Sequence, residues 1–466
     1  MKHTTYDVII VGSGVSGSFF SKPLCDAGLR CLMLEAGHLF SAETFPREEV
    51  DANAQLFWSG GIEFNRDVSI GLLRPKAVGG GSIVNQALVD RFDAAAFEEW
   101  KSIAGVSFFD LGEMQPWYEL AEKELCIQSI PEKYWNSNAR IFQKGCELHG
   151  YRYATLRRAQ NDCRFEEGND CILCLFGCPR DSKQSTLITV LKKALERGLE
   201  LVSDFEVHFI GMKNGTVLVK GTGKDGREGS FTAERLVLAA GAIGNTKLLL
   251  SSGFGERLPA LGRGFYTHPQ TMSFGLYDEP IRAHKGPFQA LKSDDPNFRE
   301  NGFKLENVFA PPGATAMLLP GFGESHQRLM EKMDHFACIE VAVRDTEPGT
   351  IRMRGSHIVI EKKLNAEDKR RRDQGLAVVD HIFRSTGAKR IIRGGLPIGL
   401  HLMGGCAMGI HPETSVVDSQ FRMHGEKNIY IADSSIFPSA PGINPSLTIM
   451  ALSLRGANQM LKGRRA

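Results

Sequence analysis

Two groups of residues in this chain have types and spacing that do chemistry. The first is Gly12-Ser13-Gly14-Val15-Ser16-Gly17, preceded by the β-branched run Asp7 to Val11 and followed by the apolar stretch Phe19 to Leu24. That order reads as strand, tight turn and helix. Gly12 makes the turn, Gly14 admits a pyrophosphate close to the backbone, and Gly17 lets helix and strand pack together. The unpaired amides at the helix N-terminus then face the phosphates. Cys31 to Leu34 reads as the second strand and leads into Glu35. This is near the ~20-residue offset at which an acidic side chain accepts both ribose hydroxyls and repels a 2′-phosphate. The combination predicts a dinucleotide site, although a glycine triplet alone also makes a plain turn, and the motif does not separate NAD from FAD.

The second group is Cys163, Cys171, Cys174 and Cys178, four thiols within 16 residues and followed by Pro179. The run is reminiscent of bacterial ferredoxins, whose spacing nevertheless differs. Thiolates suit soft metals. An iron-sulfur cluster is the favoured expectation. A structural zinc, disulfides and reduced thiols packed in a turn stay open, the zinc reading being weakened by the absence of two separated knuckles.

The elements that must position these groups follow from periodicity. Arg235 to Ala239 is a continuous apolar strand that turns into a helix at Gly241, as in a buried parallel sheet. Asn428 to Asp433 is another strand, with Asp433 at the carboxyl end where open α/β sheets bind ligands. Phe336 to Val343 and Ile351 to Glu361 read as strands, and Asp368 to Phe383 as a helix packed on them. Pro311 to Gly323 reads as a lid or a simple loop.

Four blocks resemble the glucose-methanol-choline (GMC) flavoprotein oxidoreductases, in the family's order and over nearly the full chain. They are Asp7 to Gly37, Val78-Gly-Gly-Gly-Ser-Ile-Val-Asn85, Leu236 to Thr246, and His401 through Pro445. The resemblance implies an α/β fold, with a Rossmann-like FAD-binding domain and an α+β substrate domain built on an antiparallel sheet. The expected division is 1–92, 180–255 and 396–466 for the FAD-binding unit. Residues 93–179 form a helical insertion that carries Trp100, Trp117 and Trp135 and ends in the cysteine loop, and 256–395 form the substrate domain.

By this resemblance the cofactor is FAD, held without a covalent tether. Its cradle comprises Gly12, Ser13, Gly14, Ser16, Gly17, Glu35 and Ala36; then Val78, Gly80, Gly81, Ser82, Asn85 and Gln86. Val207 lies at the adenine, Ala240 and Gly241 on the pyrophosphate side, and Asp433, Ser434, Asn444, Pro445 and Ser446 complete the set. The glycine loop at 79–81 permits a planar ring to lie on the backbone, with Ser82 and Asn85 as hydrogen-bonding groups. His401 occupies the family's active-site position in His401-Leu-Met-Gly-Gly-Cys406, where Gly405 replaces a threonine and is expected only to loosen local hydrogen bonding. A histidine titrates in the right range to take a hydroxyl proton. Asn444 matches the second active-site position and would orient the substrate oxygen. His268, in a stretch resembling a family connector, is read as structural.

These residues imply an FAD-dependent dehydrogenase that oxidises a CH–OH group, the proton going to His401 and the hydride to flavin N5. Electrons would leave through an iron-sulfur cluster, as in the family's cluster-bearing sugar and polyol dehydrogenases, or to an acceptor protein or quinone. An oxygen-reducing alcohol oxidase is the alternative, and a redox-neutral FAD-containing lyase is a further one. The 466 residues, 42% apolar, supply more than one core, and the net charge of +2 gives no sign of nucleic acid as a partner. The basic run Lys369 to Arg372 is flanked by Asp368 and Asp373 and reads as a solvated face. No apolar run reaches the ~18 residues of a membrane span, and the strand at Asp7 begins too early for a signal peptide. A cytoplasmic location is expected, with export or membrane association through a partner left open. Ten cysteines without a secretion signal favour thiols or metal over a disulfide framework.

Overall fold

The computed structural model describes residues 6–167, 171–213 and 215–465. In chain order, the elements that build the site are β1 (Tyr6–Val11), α1 (Val15–Asp26), β2 (Cys31–Leu34), β3 (Glu228–Leu238), α2 (Gly241–Ser251), β4 (Arg263–Leu276), β5 (Phe303–Asn307), β6 (Phe336–Val343), α3 (Ala366–Ser385), β7 (Ile398–Met403), β8 (Glu426–Ile431) and α4 (Ser446–Arg465).

The architecture is α/β and rests on two sheets. In the first, β8, β3, β1, β2 and the strand Glu200–Val202 run parallel in that spatial order. Both faces of these strands are covered, which is why Val8, Ile9, Ile10, Leu32, Met33 and Leu236 to Leu238 are apolar without alternation and almost completely buried. Each such side chain contributes about 1.5–3 kcal/mol of burial. Every parallel strand delivers its carboxyl end to one edge, and the turns there form the cofactor side of the site.

The second sheet is mostly antiparallel, with β7, β4, β6 and β5 adjacent in that order. One face packs on α3 through Phe303, Leu305, Val341, Val379 and Phe383. Gly375 is needed at that contact, since a Cβ there would sit 2.4 Å from Val341 Cγ1. The other face looks toward the first sheet.

Several predicted boundaries shift. Ile351 to Glu361 is a hairpin, Gly349–Arg354 and His357–Glu361, rather than one strand. Strand β7 and the short strands Glu63–Phe64 and Gly71–Leu72 pair within the second sheet, as does Tyr153–Thr155 from the insertion. The stretch Pro311 to Gly323 contains a helix, Pro312–Leu318, whose first amides at Gly313 and Ala314 donate to the Glu49 carboxylate at 2.6 and 2.7 Å. Trp100 of the insertion is fully buried and donates to Ser439 O at 3.1 Å, fastening the insertion to the C-terminal segment. Among the described residues, no helix is long and apolar enough to cross a membrane.

Candidate active site

Between the carboxyl edge of the first sheet and the free face of the second lies a cavity of about 780 Å³. Gly12, Gly14, Ser16, Glu35, Ala36, Gly80, Gly81, Asn85, Gln86, Val207, Ala240, Gly241, Asp433, Ser434, Pro445 and Ser446 line it, together with both candidate catalytic residues, His401 and Asn444. Ser13, Gly17, Val78 and Ser82 stand behind its wall. Ser13 Oγ donates to Glu35 and accepts from Gly79 N, while Ser82 Oγ donates to Gly79 O.

The glycines are required by contact. A Cβ on Gly12, whose φ is +99°, would lie 2.4 Å from Ala239 O, and one on Gly17 would lie 2.0 Å from Gly12 O. The two glycine loops meet at Gly14 and Gly80, where a Cβ on Gly80 would approach Gly14 Cα to 2.7 Å. Among the described residues, Ser16 Oγ in the first turn of α1 is buried without a hydrogen-bond partner, and so is Gln86 Nε2. Buried orphans of this kind cost about 1–3 kcal/mol unless a ligand satisfies them. The bare turns and orphaned polar atoms along one elongated cavity fit a dinucleotide such as FAD.

Two acidic residues of this cradle already have protein partners. Glu35 accepts from Ser13 N, Ser13 Oγ and Gly37 N at 2.9, 2.8 and 2.7 Å. Burial pushes its pKa up, and these donors oppose the shift. Asp433 accepts from Gly241 N, Asn245 Nδ2, Ser435 N and Ser435 Oγ. It therefore fastens the end of β8 to the N-terminus of α2, and burial again raises its pKa.

His401 reaches the cavity through an irregularity in β7. Opposite it, β4 pairs Tyr266 with Met403 and His268 with Leu400, so His401 and Leu402 face Thr267 alone. This is a β-bulge, and His401 takes the left-handed conformation, with φ +53°. Bulges re-aim side chains beside active sites, and a non-glycine residue there stores strain. The result sets His268 Nδ1 2.9 Å from His401 Nδ1. His268 Nε2 accepts from Gly442 N at 2.9 Å, so the network places the His268 proton on Nδ1, donated to His401, and the proton of neutral His401 on Nε2. Burial and the Lys304 ammonium push the His401 pKa down to about 3. His268 is lowered too, by burial and by the facing His401 ring. The connector histidine thus sets the tautomer of the candidate catalytic one.

Asn444 is 6% exposed, and its Oδ1 accepts from Lys304 Nζ at 2.7 Å. That orients the amide so that Nδ2 donates to Glu306 Oε1 at 3.5 Å, and only its second hydrogen is left for the cavity. Lys304 also pairs with Glu306 at 2.5 Å. Burial opposes the charge on Lys304, but Glu306 and Asp90 outweigh it and raise the pKa. Lys304, Glu306 and the neighbouring Glu340 and Gln270 carry no motif. Their only signal in the sequence is charge inside apolar strands, such as the single Glu340 within Phe336 to Val343.

Gly405 has a φ of +87°, and a Cβ there would lie 2.4 Å from Thr246 Oγ1. Thr246 donates to Ala242 O at 2.7 Å and lies 3.8 Å from Cys406 Sγ. Thr246 occupies the space a threonine side chain at 405 would need. The expectation of looser hydrogen bonding is therefore corrected: glycine at 405 is a packing requirement.

The expectation of a metal on Cys163, Cys171, Cys174 and Cys178 finds no support in the structure. All four are buried, yet among the described residues no group of three or more His, Cys, Asp or Glu is placed to hold a metal ion. Beside these thiols, the Lys183 ammonium is fully buried against the loop and donates to Cys174 O at 2.6 Å, to Asn85 O at 3.0 Å and to Ile83 O. Burial also holds the thiol of Cys163 protonated, with its pKa pushed up to about 12. Lys183 is a staple that joins the cysteine loop to the glycine loop at 79–85, and Leu175 and Phe176 of the cysteine loop line the cavity beside it.

Comparison with known proteins agrees with this geometry. The family described as GMC oxidoreductase matches residues 6–270 by its N-terminal part and 365–453 by its C-terminal part. An uncharacterised GMC-type oxidoreductase of Mycobacterium tuberculosis strain H37Rv is 28% identical over 485 residues, covering 98% of this chain and 76% of that protein. A long-chain-alcohol oxidase of Arabidopsis thaliana is 26% identical over 502 residues, covering 96% of this chain and 66% of that protein. The crystal structure of pyridoxine 4-oxidase from Mesorbium loti shares the fold, with a TM-score of 0.78 at 17% identity over 98% of this chain and 99% of that one.

Proposed function

The chain belongs to the GMC oxidoreductase family, and from that premise we propose that it is an FAD-dependent alcohol oxidase that uses molecular oxygen as the electron acceptor. The observation that carries the proposal is that His401 and Asn444 line the same cavity as the glycine turns of the dinucleotide cradle. The relatives named for what they oxidise, a long-chain-alcohol oxidase and pyridoxine 4-oxidase, support oxygen over a built-in metal relay. FAD, when bound along Gly12 to Ser16 and Gly80 to Asn85, supplies the two-electron acceptor. The net reaction converts an alcohol and O₂ into a carbonyl compound and H₂O₂.

The protein's own part is to hold the substrate oxygen and its proton. Asn444 Nδ2 and His401 Nε2 are both donors in the resting state, and Lys304 behind Asn444 fixes the orientation of its amide. For His401 to take the hydroxyl proton at Nε2, its Nδ1 must carry the hydrogen shared with His268. That requires His268 to protonate at Nε2 and to release Gly442. The His268–His401 pair is therefore the switch that turns an oxygen-binding donor into a base.

The test is an oxygen-electrode assay of the FAD-loaded protein with a panel of primary and secondary alcohols. The expected result is oxygen uptake with an equimolar yield of H₂O₂. Turnover with an electron-accepting dye but none with oxygen would assign a dehydrogenase instead.

A further inference from the structure

The face of the second sheet that looks into the cavity is not uniformly apolar. Pairing puts Glu306 of β5 opposite Glu340 of β6 and Glu340 opposite Met272 of β4, so these three side chains stand on one face, with Gln270 two residues from Met272 on the same side. All four line the cavity. The carboxylates differ in their partners. Glu306 is neutralised by Lys304 and accepts from Gln289 Nε2 at 2.5 Å. Glu340 is 3% exposed and makes no side-chain hydrogen bond or ion pair among the described residues. Gln270, also 3% exposed, has a buried Oε1 without a partner among the described residues.

Two unpartnered acceptors on adjacent strands, one of them a carboxylate, leave a hydrogen-bonding deficit in the wall of the substrate chamber. Buried acceptors of this kind are satisfied in working proteins, by the protein or by what it binds. We infer that Glu340 and Gln270 form a subsite for a cationic nitrogen of the substrate, so that the preferred substrates are alcohols that also carry a protonated amine or an N–H-bearing ring cation. This rests on the alcohol-oxidising reading above and deepens it. Such a group brings both the N–H donors and the positive charge that the subsite lacks, whereas a neutral hydroxyl would bring only one donor. Burial, and then the charge of Glu306, raises the Glu340 pKa to about 8, with Lys304 opposing.

The experiment uses the FAD-loaded protein at pH 8, with ω-amino alcohols of two to six carbons against n-alkanols of matching length. Binding is read by calorimetry and by perturbation of the flavin absorbance, and turnover by anaerobic flavin bleaching. The expected result is that at least one amino alcohol binds about tenfold or more tightly than its alkanol, and that Glu340→Gln cuts that ratio at least tenfold. Ratios within twofold of unity across the series, or a preference unchanged in Glu340→Gln, overturn the subsite. Should Glu340→Gln fail to retain FAD, Gln270→Leu carries the same comparison. Amino alcohols that bind through Glu340 without bleaching the flavin would uphold the subsite and sink the oxidase reading. Bleaching by all alcohols alike would do the reverse.

Discussion

The two walls of the cavity are built on different principles. The cradle wall is backbone: bare turns at Gly12 and Gly80, a helix N-terminus, and carboxylates whose partners are mostly main-chain amides. The facing wall is side chains on one face of an antiparallel sheet, where Lys304, Glu306, Glu340 and Gln270 meet from three strands. The cradle wall is committed to a ligand common to many enzymes and tolerates almost no added atom. The facing wall can exchange side chains without disturbing the main chain, and this is where specificity is set.

The sharpest way to break the contrast is at the cradle. Gly12→Val places a branched side chain at φ +99°, against a carbonyl oxygen 2.4 Å from the Cβ position. The cost is about 3 kcal/mol or more. The purified variant should show almost no flavin absorbance, and normal flavin content would mean that the turn yields easily. Next in size is His401→Ala, for which rapid mixing should show flavin reduction slowed by a factor of about 100 or more. Lys183→Met removes an ammonium that satisfies three buried carbonyls and should lower the unfolding free energy by about 2 kcal/mol, measured in urea. An unchanged midpoint would show that the staple is dispensable.

A pH-graded effect sits on the facing wall. Folded Glu340 keeps its proton up to about pH 8, whereas the ordinary carboxyl value is 4.5. Between those values the unfolded chain binds fewer protons, so this residue lowers stability as pH rises. Glu340→Gln should therefore gain on the wild type by about 1 kcal/mol per pH unit between 5 and 8, and parallel stability curves would contradict the assignment. The smallest change is expected at Phe322, 89% exposed at the end of the Pro311 to Gly323 stretch. Phe322→Ser should alter stability by less than about 0.5 kcal/mol.

The same contrast explains what the sequence revealed. Strand β2 is legible to the residue because a buried parallel strand is apolar throughout, and the glycine turn is legible because only glycine meets its steric demands. His401 and Asn444 are found by position within motifs. Three things were hidden for physical reasons. The His268–His401 pair depends on a bulge that no local pattern announces. The Glu340 and Gln270 subsite depends on strand register, which brings together residues 70 positions apart, numbered 270 and 340. The Lys183 staple under the cysteine loop was hidden because spacing shows the thiols and not the ammonium bonded to the carbonyl of Cys174.

The central claim is most directly tested by mixing the FAD-loaded protein without oxygen with a panel of alcohols and following absorbance near 450 nm, then admitting air. The account predicts that at least one alcohol bleaches the flavin, and that air restores the absorbance with one H₂O₂ formed per alcohol oxidised. A flavin that no alcohol bleaches, or one that stays reduced in air-saturated buffer, would contradict it.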